Sequence, residues 1–296
     1  MRSLRLAAVG LIAAALTAAG CGSSHHGSTS SRQPAPAVHR PATGGASRFQ
    51  PLAVPAHYAP HRVRIPILTY HRVHTFATEL HKSQPDLTVE PDTFRAEMAA
   101  IARAGYQTIT QRQLFDALYR AAALPPKPVI VSVDDGYVDD VTEILPVLRQ
   151  YHMTATFYVI TGRTHEQGFL NPDQIRQLEA AGMDIGAHTR THASLPALPP
   201  AELRSEVDGS ASDLRRLLGH PVYWFAYPYG AFNDAVVREV RRAGFLLAVT
   251  TRAGETASTD APLEIPRIHV GRAATASTVL GLLGGGAAPR APAGAG

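Results

Sequence analysis

The chain has 296 residues, of which 45% are hydrophobic and 18% charged, an ordinary globular balance with ample material for one large core. Its formal net charge of +4 is small for this length, and several arginines fall in the tails, which argues against a nucleic-acid partner. A single cysteine excludes an internal disulfide.

The first twenty residues read as a signal peptide. Arg2 and Arg5 precede an apolar run, Ala7 to Ala19, that is too short and too Ala-rich for a membrane span. Small residues Ala18-Ala19-Gly20 end it, and Cys21 follows directly. This placement resembles the lipobox of bacterial lipoproteins, with Ala18 where Leu is usual. Cys21 is therefore expected to be the lipidated mature N-terminus of an exported protein anchored at the cell surface, with plain secretion as the alternative. Residues 21–61 are Ser-, Pro-, Ala- and Gly-rich and are expected to form a disordered tether. The folded domain is expected over residues 62–283, with a disordered tail at 284–296.

Within that domain, hydrophobic periodicity predicts strands and helices in alternation. A strand over 65–69 leads into Tyr70-His71. A helix capped near Asp92-Thr93 runs to Gly105, followed by a strand over 106–110 and a helix over 111–122. Val129 to Val133 is a β-branched strand introduced by prolines and ended by Asp134-Asp135-Gly136. Helices at 141–151, 172–182, 200–218 and 233–244 alternate with strands at 155–160, 183–187, 224–226, 245–250 and 263–270. This rhythm is that of a parallel α/β sheet or barrel, and no Gly-rich phosphate loop follows any strand.

Three strand ends carry chemistry. Asp134 and Asp135 are adjacent carboxylates at the carboxyl end of a strand, where α/β folds bind ligands; a divalent metal would offset their repulsion, although a solvated Asp-Asp-Gly turn fits the stretch alone. His188-Thr-Arg-Thr-His192 follows another strand and offers two imidazoles to the same rim. Two histidines and one carboxylate leave open positions on a hydrolytic zinc site. Tyr227-Pro-Tyr-Gly-Ala-Phe232 presents backbone N–H groups for a carbonyl oxygen and aromatic rings for a sugar face. His71 and His269 are both candidates for a proton donor, with His71 favoured by its place at a strand end.

Together, Val133-Asp-Asp-Gly136, His188-Thr-Arg-Thr-His192 and Tyr227-Pro-Tyr-Gly230 resemble the motifs of the polysaccharide deacetylase family, the NodB-homology esterases of carbohydrate esterase family 4. Thr69-Tyr-His-Arg-Val73 is similar to the exported branch that deacetylates poly-N-acetylglucosamine. The resemblance implies a distorted (β/α)7 barrel and a metal-dependent N-deacetylase. It implies Asp135, His188 and His192 as ligands of zinc, with cobalt or nickel as alternatives. It further implies Asp134 as base, His71 as acid, and substrate contacts at Tyr70, Tyr137, Tyr227, Pro228, Tyr229 and Gly230. The partner would be an N-acetylated polysaccharide: poly-β-1,6-N-acetylglucosamine first, then chitin-like chains, peptidoglycan or xylan. Two departures stand out. Ala226 occupies the position of a family arginine, and the Asp/Trp motif has no match. Arg267 is expected to supply the missing charge beside Asp134, with His269 as an accessory. An iron oxygenase with the same ligand types is disfavoured by the α/β rhythm. An inactive carbohydrate-binding protein is disfavoured by the intact Asp134, Asp135, His188 and His192.

Overall fold

A computed structural model describes residues 51–79 and 85–284. The expected signal peptide, Cys21 and the tail beyond residue 284 lie outside them. The strands are β1 (Arg62–Arg64), β2 (Ile67–Tyr70), β3 (Arg72–Val73), β4 (Thr88–Val89), β5 (Gln107–Thr108), β6 (Pro128–Asp135), β7 (Thr156–Val159), β8 (Asp184–Ala187), β9 (Trp224–Ala226), β10 (Leu247–Ala253), β11 (Thr256–Ser258) and β12 (Ile265–His269). The helices are α1 (Phe76–Glu79), α2 (Pro91–Arg103), α3 (Gln111–Arg120), α4 (Leu145–Gln150), α5 (Pro172–Ala180), α6 (Pro200–Leu218), α7 (Asp234–Arg242) and α8 (Ala276–Leu283).

The order β2-β12-β10-β9-β8-β7-β6, closed by a β2–β6 pairing, makes a seven-stranded parallel barrel, with β5 added outside β6. This is the distorted (β/α)7 arrangement. Closure is uneven: β8 and β9 share one residue pair, Ala187 with Phe225, and the β10–β12 register shifts between Val249 and Ala253.

Strand alternation divides the apolar residues into two layers. Ile67, Ile130, Tyr158, Trp224, Leu247 and Val249 form one cluster with Leu114, Phe115 and Leu118 of α3. Leu68, Val131, Val133, Phe157, Ile185, Phe225 and Ala248 form the other, against Met98 and Ile101 of α2, Leu148 of α4, Leu178 of α5, Val207 of α6 and Val240 of α7. Local chemistry fixes the helix starts. Thr110 with Gln113 and Asn171 with Gln174 are reciprocal capping boxes, and Asn233 caps α7. The first long helix begins at Pro91 with Glu90 at its N-cap and no side-chain cap bond, two residues ahead of the expected cap at Asp92.

Two segments extend the fold beyond the expected pattern. Residues before the barrel pack on it: the Leu52 N–H donates to the Tyr223 hydroxyl (3.0 Å), Tyr58 meets the Tyr119 ring edge-on, and β1 pairs antiparallel with β11. At the other end, α8, capped by Thr275, buries Val279, Leu282 and Leu283. Its small and uncharged sequence carries no amphipathic signal, so only packing reveals it. No helix among the described residues is long and apolar enough to cross a membrane.

The helix expected at 141–151 opens as a π-helical turn, Asp140–Ile144, before α4. Asp140 is fully buried there, and neither carboxyl oxygen has a hydrogen-bond partner. Burial, then the charges of Asp139 and Asp135, hold its pKa well above the carboxylate range. The unfolded chain titrates near 3.9, so the folded state keeps a proton that the unfolded state has lost. This contribution is complete below about pH 4 and is lost as pH rises towards the folded pKa. In metal-free protein, Asp140→Asn is expected to narrow the stability difference between about pH 5 and about pH 8, measured by urea denaturation. An unchanged difference refutes this role.

Candidate active site

The same alternation that fills the barrel builds its polar end. Ile130, Ser132 and Asp134 occupy successive same-face positions of β6, and Ile265 and Arg267 do so on β12. Asp134 and Arg267 are each 2% exposed. Their pairing is bidentate, with Arg267 Nη1 to Asp134 Oδ1 at 2.8 Å and Nη2 to Oδ2 at 2.6 Å. Arg267 also donates from Nε to the Thr250 carbonyl (2.9 Å) and from Nη1 to Ser132 Oγ (3.1 Å). Burial disfavours the Asp134 charge. The guanidinium and its two hydrogen bonds outweigh burial and hold the carboxyl well below the usual carboxylate range. Arg267 thus stands where the sequence lacked an arginine at Ala226.

Asp135 breaks the alternation. Its φ is 80°, followed by Gly136 at 77°. A non-glycine residue in such a conformation costs about 1–3 kcal/mol, and it swings this carboxyl away from the path of its neighbour. Asp135 Oδ1 lies 3.5 Å from His188 Nε2 and 3.6 Å from His192 Nε2. The three ligand atoms are all within 4.8 Å of one another. His188 Nδ1 donates to the Ala226 carbonyl (2.8 Å); a carbonyl only accepts, so Nε2 carries the lone pair that faces Asp135. Asp135 Oδ1 is buried with no hydrogen-bond partner. Burial, then the Asp134 charge, push Asp135 up to about 7; burial pushes His192 down to about 4 and lowers His188. A carboxylate, the Nε2 lone pair of His188 and a His192 ring nitrogen converge here, a donor set that fits a divalent cation.

A cavity of about 500 Å³ opens over this cluster. His71, Asp134, Asp135, Tyr137, His188, His192, Tyr227 and Tyr229 line it together with Arg72, Leu87, Ile160, Arg163 and Thr251. Tyr229 is 62% exposed, has a φ of 58° and meets His192 with ring centroids 4.5 Å apart. Pro228 and Gly230 do not line the cavity; they form the turn that presents Tyr229, and a Cβ on Gly230 would lie 2.0 Å from Thr251 Oγ1. On the facing wall, Arg72 lies over Tyr137, which packs on Phe169, which is covered in turn by Arg163.

Tyr70, expected as a substrate contact, is fully buried, and its hydroxyl donates to Glu97 (2.9 Å). It follows Thr69 on β2 and so faces the helices instead of the groove. His269 is the last residue of β12, with its ring centroid 5.8 Å from that of His71, whose Nδ1 is buried without a partner. His71 lines the cavity and His269 does not. Arg163 was missed by the sequence reading, although it closely follows the carboxyl end of β7 and the strand-end logic applies to it.

The polysaccharide deacetylase family model matches residues 121–248, the stretch holding both aspartates, both histidines and Tyr227 to Gly230. Over that stretch, fold, site and sequence are those of a polysaccharide deacetylase (NodB-homology) domain, the family this chain is similar to. Among solved structures it is similar to the Streptococcus pyogenes deacetylase PplD in complex with acetate. That match has 28% identity and a TM-score of 0.70 and covers 76% of this chain and 99% of that one. The peptidoglycan-N-acetylmuramic acid deacetylase PdaA of Bacillus subtilis (strain 168) is 26% identical over 144 residues, 48% of this chain and 53% of PdaA. The poly-beta-1,6-N-acetyl-D-glucosamine N-deacetylase of Escherichia coli (strain K12) is 23% identical over 246 residues, 69% of this chain and 36% of that protein. The chain thus spans about half or less of the length of these two curated relatives.

The Arg267–Asp134 pair sets a stability test. Arg267→Met leaves a buried charge unpaired and is expected to cost about 3–5 kcal/mol of unfolding free energy at neutral pH. Adding Asp134→Asn should recover most of that loss. Denaturant unfolding of the three metal-free proteins decides, and wild-type stability for Arg267→Met overturns the account.

Proposed function

We propose that the chain is a metal-dependent hydrolase that removes N-acetyl groups from a GlcNAc-containing polysaccharide, with poly-β-1,6-N-acetylglucosamine as substrate. The observation that carries this reading is the Asp135, His188 and His192 cluster at the floor of a groove, with a second, separately held carboxylate beside it. Asp135, His188 and His192 would hold the ion, zinc being suited to this donor set. Such an ion, when bound, polarises an acyl oxygen and lowers the pKa of water.

The chain's own groups supply the rest. Arg267 keeps Asp134 ionised, so its carboxylate is open to accept a proton from the attacking water throughout the physiological range. The same guanidinium makes Asp134 a weak base, so a proton does not rest there. His71 is neutral, pushed down to about 4 by burial; it lines the groove, and its Nδ1 is buried without a partner. A neutral imidazole takes up a proton before it can deliver one, so His71 passes the proton to the departing nitrogen. The amide C–N bond breaks, the water hydroxyl joins the acetyl carbon to give acetate, and the sugar keeps a protonatable amine. The exposed ring of Tyr229 offers a face for a sugar. Acetate bound to PplD fits a product of this reaction.

The polymer is proposed from the Thr69-to-Val73 resemblance and from the reach of the E. coli match across 69% of this chain. Acetate release by metal-reconstituted protein tests it, with poly-β-1,6-N-acetylglucosamine oligomers, chito-oligosaccharides, peptidoglycan and acetylated xylan in parallel. The highest kcat/KM is expected on the β-1,6 oligomers. A preference for peptidoglycan would move the substrate assignment, and no acetate from any polymer would make the chain a binding protein.

The two aspartates are expected to separate. Asp134→Asn should keep the metal and lose about 10²–10⁴-fold in rate, the scale of a missing general base. Asp135→Asn should weaken metal binding as well as abolish turnover. Metal content and acetate release measured on the same preparations test both, and the opposite pattern would exchange the roles.

A further inference from the structure

Of the two histidines, His188 is the better fixed. Its ring is held by the Ala226 carbonyl and its side chain is 2% exposed. Among the described residues the His192 ring makes no hydrogen bond, and its side chain is 24% exposed. Its position therefore depends on its contacts with His188 and Tyr229 and on the backbone of residues 188–192. That backbone is strained, with φ at 63° for Thr189 and 64° for His192.

One face of α6 grips this loop. Glu206 Oε2 accepts from the Arg190 N–H and the Thr191 N–H, each at 2.9 Å, and Oε1 accepts from the Thr191 hydroxyl at 2.8 Å. Seven residues on, Asp213 accepts from Arg190 Nε (2.8 Å) and Nη2 (2.9 Å) and from the Thr161 hydroxyl (3.0 Å). Gly209 lies between them on the same face, and a Cβ there would sit 2.5 Å from Arg190 Nε. From the other side, the N–H groups of Thr161 and Gly162 donate to the Thr189 and Arg190 carbonyls, at 3.0 and 2.9 Å. A Cβ on Gly162 would lie 2.5 Å from the Arg190 oxygen.

We propose that Glu206, with Gly209 and Asp213, is the positioning device of the metal site: this α6 face fixes the loop so that His192 completes the ligand set. Glu206 touches neither ligand ring. It acts by satisfying two amides that the reversed loop turns away from the site and by preventing the loop from relaxing towards ordinary φ values. The sequence spacing Glu206, Gly209, Asp213 (i, i+3, i+7) places all three on one helix face, the pattern this role requires. The proposal rests on the metal-site reading above.

The test titrates metal-free protein with Zn²⁺ and Co²⁺, reading affinity and the visible Co²⁺ spectrum. Glu206→Ala is expected to weaken binding about 10–100-fold, the usual cost of removing an outer-shell support, and to change the Co²⁺ bands. Glu206→Gln should stay within about 3-fold of wild type, because its carbonyl accepts from both amides while its NH₂ donates to the Thr191 hydroxyl. Should Glu206→Ala fail to fold, Thr191→Val removes only the hydroxyl bond and is expected to weaken binding in the same direction. Wild-type affinity and spectrum in the folded Ala or Val variant would overturn the proposal, as would equal losses in the Ala and Gln variants. Absence of binding by wild-type protein would instead overturn the metal-site reading itself, and this inference with it.

Discussion

The buried Arg267–Asp134 pair is the constraint on which the rest of the site depends. Two charges inside a barrel are costly to desolvate and persist there only with complete pairing. Here both oxygens of Asp134 have a guanidinium donor, and two further Arg267 N–H groups reach Thr250 and Ser132. The pair joins β6 to β12, strands on either side of β2 in the closed barrel. It also settles the charge state of Asp134, leaving the neighbouring carboxyl as the one that needs a cation.

The second constraint is the strained turn at Asp135. Adjacent residues of a strand point to opposite faces, so an undistorted β6 could not aim both carboxylates at one groove. The positive φ at Asp135 lets one aspartate stay in the barrel while the next turns to the histidines. Of the non-glycine residues with positive φ among the described residues, Asp135, Thr189, His192 and Tyr229 all belong to the site or its loops. Strain of this kind persists where neighbours over-determine it, and the α6 carboxylates and the tight approach at Gly162 are such neighbours.

The groove wall shows the same economy. Arg72 is tied to Asp139 and lies over Tyr137, while Arg163 is tied to Glu166 and lies over Phe169. Each guanidinium is contacted by a carboxylate and by a ring, the Arg72–Asp139 pair buried and the Arg163–Glu166 pair exposed.

The sequence by itself determined the alternation of strands and helices, because hydrophobic periodicity and capping residues such as Thr110, Asn171 and Asn233 act over a few residues. It also determined which strand ends carry carboxylates and imidazoles, so the Asp135, His188 and His192 cluster and a parallel α/β sheet or barrel were legible, while the (β/α)7 class came from the family resemblance of the motifs. Tertiary structure alone decided the rest, for reasons of distance and orientation. Arg267 was expected beside Asp134 only through the family arginine missing at Ala226; that it closes on both carboxylate oxygens from 133 residues away, and also reaches Thr250 and Ser132, is decided by the barrel. Nothing near Tyr70 shows that its hydroxyl turns to Glu97 and away from the groove. The α6 cradle is equally silent in sequence, since a glutamate, a glycine and an aspartate on a helix look like a solvated face until a loop is seen lying across them. Local chemistry chooses elements and faces; only closure of the barrel brings distant side chains within hydrogen-bond reach.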